Sequence, residues 1–174
     1  MIKKLYALTK IEMGIFDLNL SNDFLDELES QIKNSQNTHG NGKIPFIQSF
    51  MTDYNIVNNP SFCKLKNHIL NPINSNNENI LDFGEVKIRD MWGIIMNKGE
   101  YIKPHSHLPS FLSFILYIKC SQNSSKVIFE TMPKFKVKPK VGRLLIFPSY
   151  IKHSVEKSKS NSERISIAGN IIGE

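Results

Sequence analysis

From residue 83 onward the chain is a succession of short strand-like segments divided by turn residues, with no helical stretch between them. Candidates are 86–96, 111–120, 126–131, 142–147, 151–156 and 164–171. Alternation in the first predicts that Val86, Ile88, Asp90, Trp92, Ile94 and Met96 share one face, with Lys87, Arg89, Met91 and Gly93 opposite. Such a series indicates a β-sandwich or barrel.

The N-terminal third reads differently. Residues 2–16 alternate loosely and suit one or two short strands. Ser21 offers a cap to a helix over 22–34, with Asp23 in its first turn and Phe24, Leu25, Leu28 and Ile32 at helical spacing. A turn at His39–Gly42 follows. Asn59-Pro60 is a second helix start, with Phe62, Leu65, His68 and Ile69 on its inner face, and Asn71–Asn79 reads as a flexible loop. Helices before a run of strands indicate an α+β fold. We expect one domain over 1–174, with 1–82 as support and 83–174 as core; a hydrophobic content of 40% suffices to fill it.

The longest apolar run, Phe111 to Ile118, is too short to span a bilayer, and no leader-like segment follows Met1. The expectation is a cytoplasmic protein, with Cys63 and Cys120 as reduced thiols. Net charge is +6, with lysines crowded in 134–140 and 152–159. A chain rich in Lys, Asn and Ile has the composition that AT-rich coding produces, so a nucleic-acid partner is not favoured. Self-pairing of an edge strand into a homodimer stays open.

The chemistry is carried by histidines. His105 and His107, two apart on a strand, would face the same way and reach one ion, and a jelly roll would bring His153 beside them. Imidazole suits iron, zinc, copper and nickel alike. Gly99, His105-x-His107, Gly142, Pro148 and His153 are spaced as in the two metal motifs of the cupin superfamily, which the chain resembles. It departs from them where Ser110, Phe111 and Leu112 stand in place of a glutamate, and where Tyr150 replaces a glycine. Arg164 follows a polar turn after His153. In a hairpin about that turn it would return close to the histidine and pair with a carboxylate extending from the metal, with Ser166 adding a hydroxyl on the same face. Ser113, Ile115 and Tyr117 share another face, where the Tyr117 hydroxyl is a further candidate donor; Asn97 and Trp92 are candidate pocket residues, and Asn170 a candidate amide donor.

Trp92–Gly99, His105–Ser113, Tyr117–Lys119, Gly142–Pro148, His153 and Glu163–Ser166 through Asn170 together resemble the iron(II)- and 2-oxoglutarate-dependent oxygenases, and most closely a family of small members from marine bacteria and phages. The resemblance implies a double-stranded β-helix (a cupin-like jelly roll) with the two N-terminal helices packed on one sheet. It implies His105 and His153 as iron(II) ligands and Arg164 as the clamp on 2-oxoglutarate, with Ser166, Tyr117, Ser113 and Asn97 as co-substrate contacts. The superfamily usually carries Asp or Glu where this chain has His107. Either His107 ligates as a third nitrogen or water fills that position; ligation is the favoured outcome, and Asp90 and Glu130 are the acids able to substitute.

The implied activity is a dioxygenase, a hydroxylase using O2 and converting 2-oxoglutarate to succinate, with ascorbate as an optional reductant. The alternatives are a cupin-type three-histidine dioxygenase or isomerase without 2-oxoglutarate, and a non-catalytic jelly-roll binding module. The substrate, whether small molecule, peptide or protein, is not legible.

Overall fold

Two amphipathic helices cover one face of a sheet. In the computed structural model, which describes residues 12–74 and 85–173, helix α1 spans Asn22–Asn34 and α2 spans Pro60–Asn74. The Ser21 hydroxyl accepts from the Phe24 N–H at 3.3 Å, satisfying one of the free donors at the start of α1. Asn59 does the same for α2, accepting from the Ser61 N–H at 3.0 Å, and Pro60 takes the first helical position, where no amide hydrogen is needed. Leu25, Leu28 and Ile32 of α1 and Phe62, Leu65 and Ile69 of α2 are buried. Each such side chain taken from water stabilises by about 1.5–3 kcal/mol. The first part of the expected loop, Asn71 to Asn74, is helical instead: α2 continues to Asn74, because Leu70 and Ile73 prolong the apolar face against the core. Tertiary burial there outweighs the poor helix propensity of asparagine. Residues 75–79 lie outside the described residues, as do residues 2–11 of the expected N-terminal strands.

Strands β1 (Gly14–Asp17), β2 (Ile47–Gln48), β3 (Phe50–Met51), β4 (Val86–Met96), β5 (Tyr101–His105), β6 (Leu112–Lys119), β7 (Val127–Phe129), β8 (Phe135–Val137), β9 (Arg143–Pro148), β10 (His153–Val155) and β11 (Arg164–Gly173) form two antiparallel sheets. One has six strands in the order β1-β9-β6-β11-β4-β3, the other five in the order β2-β5-β10-β7-β8. The N-terminal part therefore adds strands to both sheets besides its helices, through β1 on β9, β3 on β4 and β2 on β5.

Two apolar layers result. The helices and the outer face of the six-stranded sheet enclose one, containing Met91, Ile95, Leu116, Ile165 and Ile167. The facing inner surfaces of the two sheets enclose the other, containing Trp92, Ile94, Met96, Tyr117, Phe129 and Phe147. Gly93 lies under α1: a Cβ built there would fall 2.6 Å from the Ile32 side chain, so only glycine lets the helix approach this closely.

Strand β4 does not keep one phase. Val86 and Ile88 pack in the helix-covered layer, whereas Trp92, Ile94 and Met96 face the other sheet. The reversal comes from a bulge. Asn170 pairs with Asp90 and the next residue, Ile171, with Ile88, leaving Arg89 without a partner position. The single shared face expected over 86–96 is thus split, and Asp90 falls on the same side as Trp92.

Candidate metal centre and adjoining cavity

Register places two of the histidines together. β10 pairs antiparallel with β5, and His153 stands directly opposite His105. Their ring centroids are 4.4 Å apart. β5 ends at His105, so His107 does not share its strand as expected. It sits in the following segment, where its N–H bonds the Ser149 carbonyl at 2.8 Å, and its ring lies 5.0 Å from each of the other two. One candidate ligand atom from each ring lies within 4.8 Å of the others.

The far side of each ring is tied to the protein. Nδ1 of His105 bonds the Lys103 carbonyl at 2.9 Å, Nδ1 of His153 the Ile151 carbonyl at 3.2 Å, and Nδ1 of His107 the Asn170 side-chain oxygen at 3.0 Å. Carbonyl oxygens only accept, so each Nδ1 carries the proton and each Nε2 keeps its lone pair. Phe46 stacks on His105 at 4.5 Å and Trp92 on His107 at 5.5 Å, fixing the ring planes. Burial disfavours the imidazolium in all three. His107 is pushed down to about 4, helped by the neighbouring His105 charge; His153 is held well below the usual histidine range, and His105 is lowered. Neutral imidazoles with free, converging nitrogens are what a divalent transition metal requires. The Nε2 of His107 is buried with no hydrogen-bond partner among the described residues, an orphaned acceptor that suits metal ligation.

The centre opens into a cavity of about 290 Å³ between the sheets. Arg164 and Ser166 line it from β11, opposite the histidine-bearing strands. The expected hairpin between His153 and Arg164 is absent, since β10 and β11 belong to different sheets; the two residues instead line the same cavity from opposite sheets. Arg164 is only 2% exposed. Its Nη1 donates to the Ser166 hydroxyl at 3.4 Å, its guanidinium carbon lies 4.8 Å from the Tyr117 ring centroid, and its Nε is unpartnered. Glu156 and Glu163, the acids that could have neutralised it, pair with Lys136 and Lys33. Tyr117 does not line the cavity; it lies fully buried behind Arg164, and burial pushes its phenol up, keeping it protonated.

The remaining candidates separate. Ser113 does not line the cavity; its hydroxyl bonds Asn170 at 3.0 Å and Ser149 at 2.7 Å, behind His107. Asn97 is exposed in the turn after β4, its N–H bonded to the Glu100 carboxylate, and stands outside the cavity because β4 ends one residue earlier. Glu130 pairs with Lys134 away from the centre. Asp90 lines the cavity but is not grouped with the three histidines; Arg89 and Asn170 donate to it at 2.7 Å each. Sequence reasoning missed Phe46, Met51 and Tyr54, which wall the cavity from the N-terminal third. The apolar residues clustered over 44–51 mark that stretch for burial but do not say which of them face the cavity.

A family profile described as "Putative 2OG-Fe(II) oxygenase" matches residues 125–170, the segment holding His153, Arg164, Ser166 and Asn170. No curated sequence matches the chain. Among solved structures, the chain is similar to the viral collagen prolyl hydroxylase of Paramecium bursaria Chlorella virus-1 in its 2-oxoglutarate complex, with 19% identity, a TM-score of 0.69, and coverage of 93% of this chain and 96% of that one. It is similar to a prolyl-4-hydroxylase of Pseudomonas putida at 12% identity, TM-score 0.68, covering 93% and 92%. A third is HygX of Streptomyces hygroscopicus with nickel, 2-oxoglutarate and hygromycin B, at 9% identity, TM-score 0.72, covering 92% and 82%. The fold is that of the 2-oxoglutarate–iron(II) oxygenases. Within this oxygenase fold the double-stranded β-helix is formed by the two facing sheets, and the helices pack on the six-stranded one through α1 on β6 and α2 on β4. Among the described residues, no helix is long and apolar enough to cross a membrane.

Proposed function

We propose that the protein is an iron(II)- and 2-oxoglutarate-dependent dioxygenase that hydroxylates its substrate. One observation carries this: three neutral imidazoles converge beside a buried guanidinium that no carboxylate neutralises among the described residues. An unpaired buried charge is costly, and a carboxylate entering the cavity would offset that cost. His105, His107 and His153 would hold the iron through Nε2, and Arg164 with Ser166 would bind the distal carboxylate of 2-oxoglutarate. A bound iron(II) would supply the chemistry of 2-oxoglutarate-coupled hydroxylation, in which one atom of O2 would enter the substrate C–H bond and the other the succinate formed with carbon dioxide.

The chain's own residues bind, orient and exclude water. Ile94, Ile102, Ile115, Phe147 and Ala168 line the cavity with apolar surface, strengthening the pairing of Arg164 with an anion. The substrate would enter over Tyr54, Leu108 and Arg89, which are partly exposed at the cavity. The free thiols Cys63 and Cys120 support a cytoplasmic location. The lysine-rich stretch gives little support to nucleic-acid binding, because Lys134, Lys136 and Lys140 pair with Glu130, Glu156 and Asp17.

Anaerobic addition of iron(II) and 2-oxoglutarate should produce a weak visible charge-transfer band, and air should then yield succinate even without substrate. No band and no succinate would overturn the proposal. The three-histidine set by itself favours a second reading, a cupin-type dioxygenase or isomerase that needs no 2-oxoglutarate. Metal-dependent activity indifferent to loss of Arg164 would select it.

A further inference from the structure

The third histidine has no acid of its own to ligate the metal, yet an acid stands two hydrogen bonds away. Asp90 Oδ1 accepts from Asn170 Nδ2 at 2.7 Å, and Asn170 Oδ1 faces both His107 Nδ1, at 3.0 Å, and the Ser113 hydroxyl, at 3.0 Å. A carboxylate only accepts, so the Asn170 amide must turn its NH2 toward Asp90 and its oxygen toward His107. That oxygen can only accept as well. His107 therefore carries its proton on Nδ1, and its Nε2 lone pair points into the centre. We infer that Asp90, acting through Asn170 and itself held by Arg89 at 2.7 Å, is a positioning residue that sets the His107 tautomer.

Three further features support this. Asp90 is carried to the inner side of β4 by the bulge at Arg89; with regular alternation through Arg89 it would sit in phase with Val86 and Ile88 on the helix-covered face. Asn170 is 5% exposed, so water does not compete for its amide. Ring orientation is fixed twice, by the Asn170 hydrogen bond on the edge and by Trp92 stacked on the face at an interplanar angle of 11°. An acceptor behind a ligating imidazole makes it a better donor, and loss of such a partner typically costs about 10–100-fold in metal affinity.

This inference rests on the metal centre proposed above, and the experiment separates the two. Cobalt(II) affinity and visible spectrum are measured for the whole protein and for Asn170→Leu, Asp90→Asn, and the charge-exchanged pair Asp90→Asn with Asn170→Asp. Nitrogen-15 spectra of the metal-free wild type and Asp90→Asn report the His107 tautomer. The expected results are an Nδ1-protonated His107 in the wild type and a loss of about 10–100-fold in affinity for Asn170→Leu. Asp90→Asn should lose less, with a mixed tautomer, and the exchanged pair should recover most of the loss, since its carboxylate faces His107 directly. Rescue distinguishes positioning from mere packing. Wild-type affinity in Asn170→Leu, an exchanged pair no better than that variant, or an Nε2-protonated wild-type ring would overturn the inference alone. A wild-type protein that takes up no cobalt would overturn the metal centre as well.

Discussion

His105 and His153 are register partners in the β5–β10 pair, and their ring centroids are separated by 4.4 Å. Strand pairing rather than a flexible loop sets this distance, so the two imidazoles are held in place before any ion arrives. His153→Ala should lower cobalt or iron uptake at least about 100-fold and abolish the rise in melting temperature that metal gives the wild type. Equilibrium dialysis and a thermal scan measure both. Uptake equal to wild type would remove His153 from the ligand set.

Arg164 should matter to the co-substrate and not to the metal. Charge-assisted hydrogen bonds are worth about 1.5–3 kcal/mol, so Arg164→Met should weaken 2-oxoglutarate binding about 10–100-fold while leaving metal affinity near wild type. Arg164→Lys keeps the charge without the planar fork and should fall between. Titration calorimetry on the metal-loaded protein reads each value. Unchanged 2-oxoglutarate affinity in Arg164→Met would exclude it as the clamp.

Metal-free protein should lose stability as pH falls below about 6.5, the unfolded histidine value. His107, depressed to about 4 by burial, and the likewise lowered His105 and His153 stay neutral in the fold while the unfolded chain takes up protons. The unfolded state then binds more protons, so stability rises with pH across this window and falls on acidification. The loss should be smaller in a His107→Gln variant. Denaturant midpoints between pH 7.5 and 4.5 check this; identical slopes for the two proteins would refute it.

Gly93→Ala should destabilise by about 1–3 kcal/mol, the usual cost of forcing a methyl group into a packed interface. Its Cβ would collide with Ile32. Urea unfolding measures the difference, and in an Ile32→Ala background, where the clashing Cγ1 and Cγ2 atoms are gone, Gly93→Ala should cost less.

What the sequence made legible was whatever depends on local pattern. The Ser21 and Asn59 caps placed both helix starts, because capping is decided within a few residues. The runs around 112–119, 143–148 and 164–173 stand out as strands, since each is short, largely apolar and bounded by turn residues. Nothing local announces the bulge at Arg89, which exists only against the partner strand β11, so the inner face of β4 was assigned one phase throughout. Short edge strands such as β2 and β3 were invisible for the same reason: two residues carry no periodicity. At the site, the His spacing and Arg164 were readable as chemical types, whereas Asn97 was misplaced and the wall of Phe46, Met51 and Tyr54 was overlooked, because cavity lining depends on how distant segments pack.

His105 and His153 belong to one layer of the sandwich and Arg164 to the other. A molecule gripped at both ends by these groups would act as a staple between the layers, making their separation cost its release. Slow amide exchange gained on ligand binding should therefore spread along β10 and β11 alike, far beyond the atoms touched, and the empty protein should breathe most readily along the seam between its two sheets.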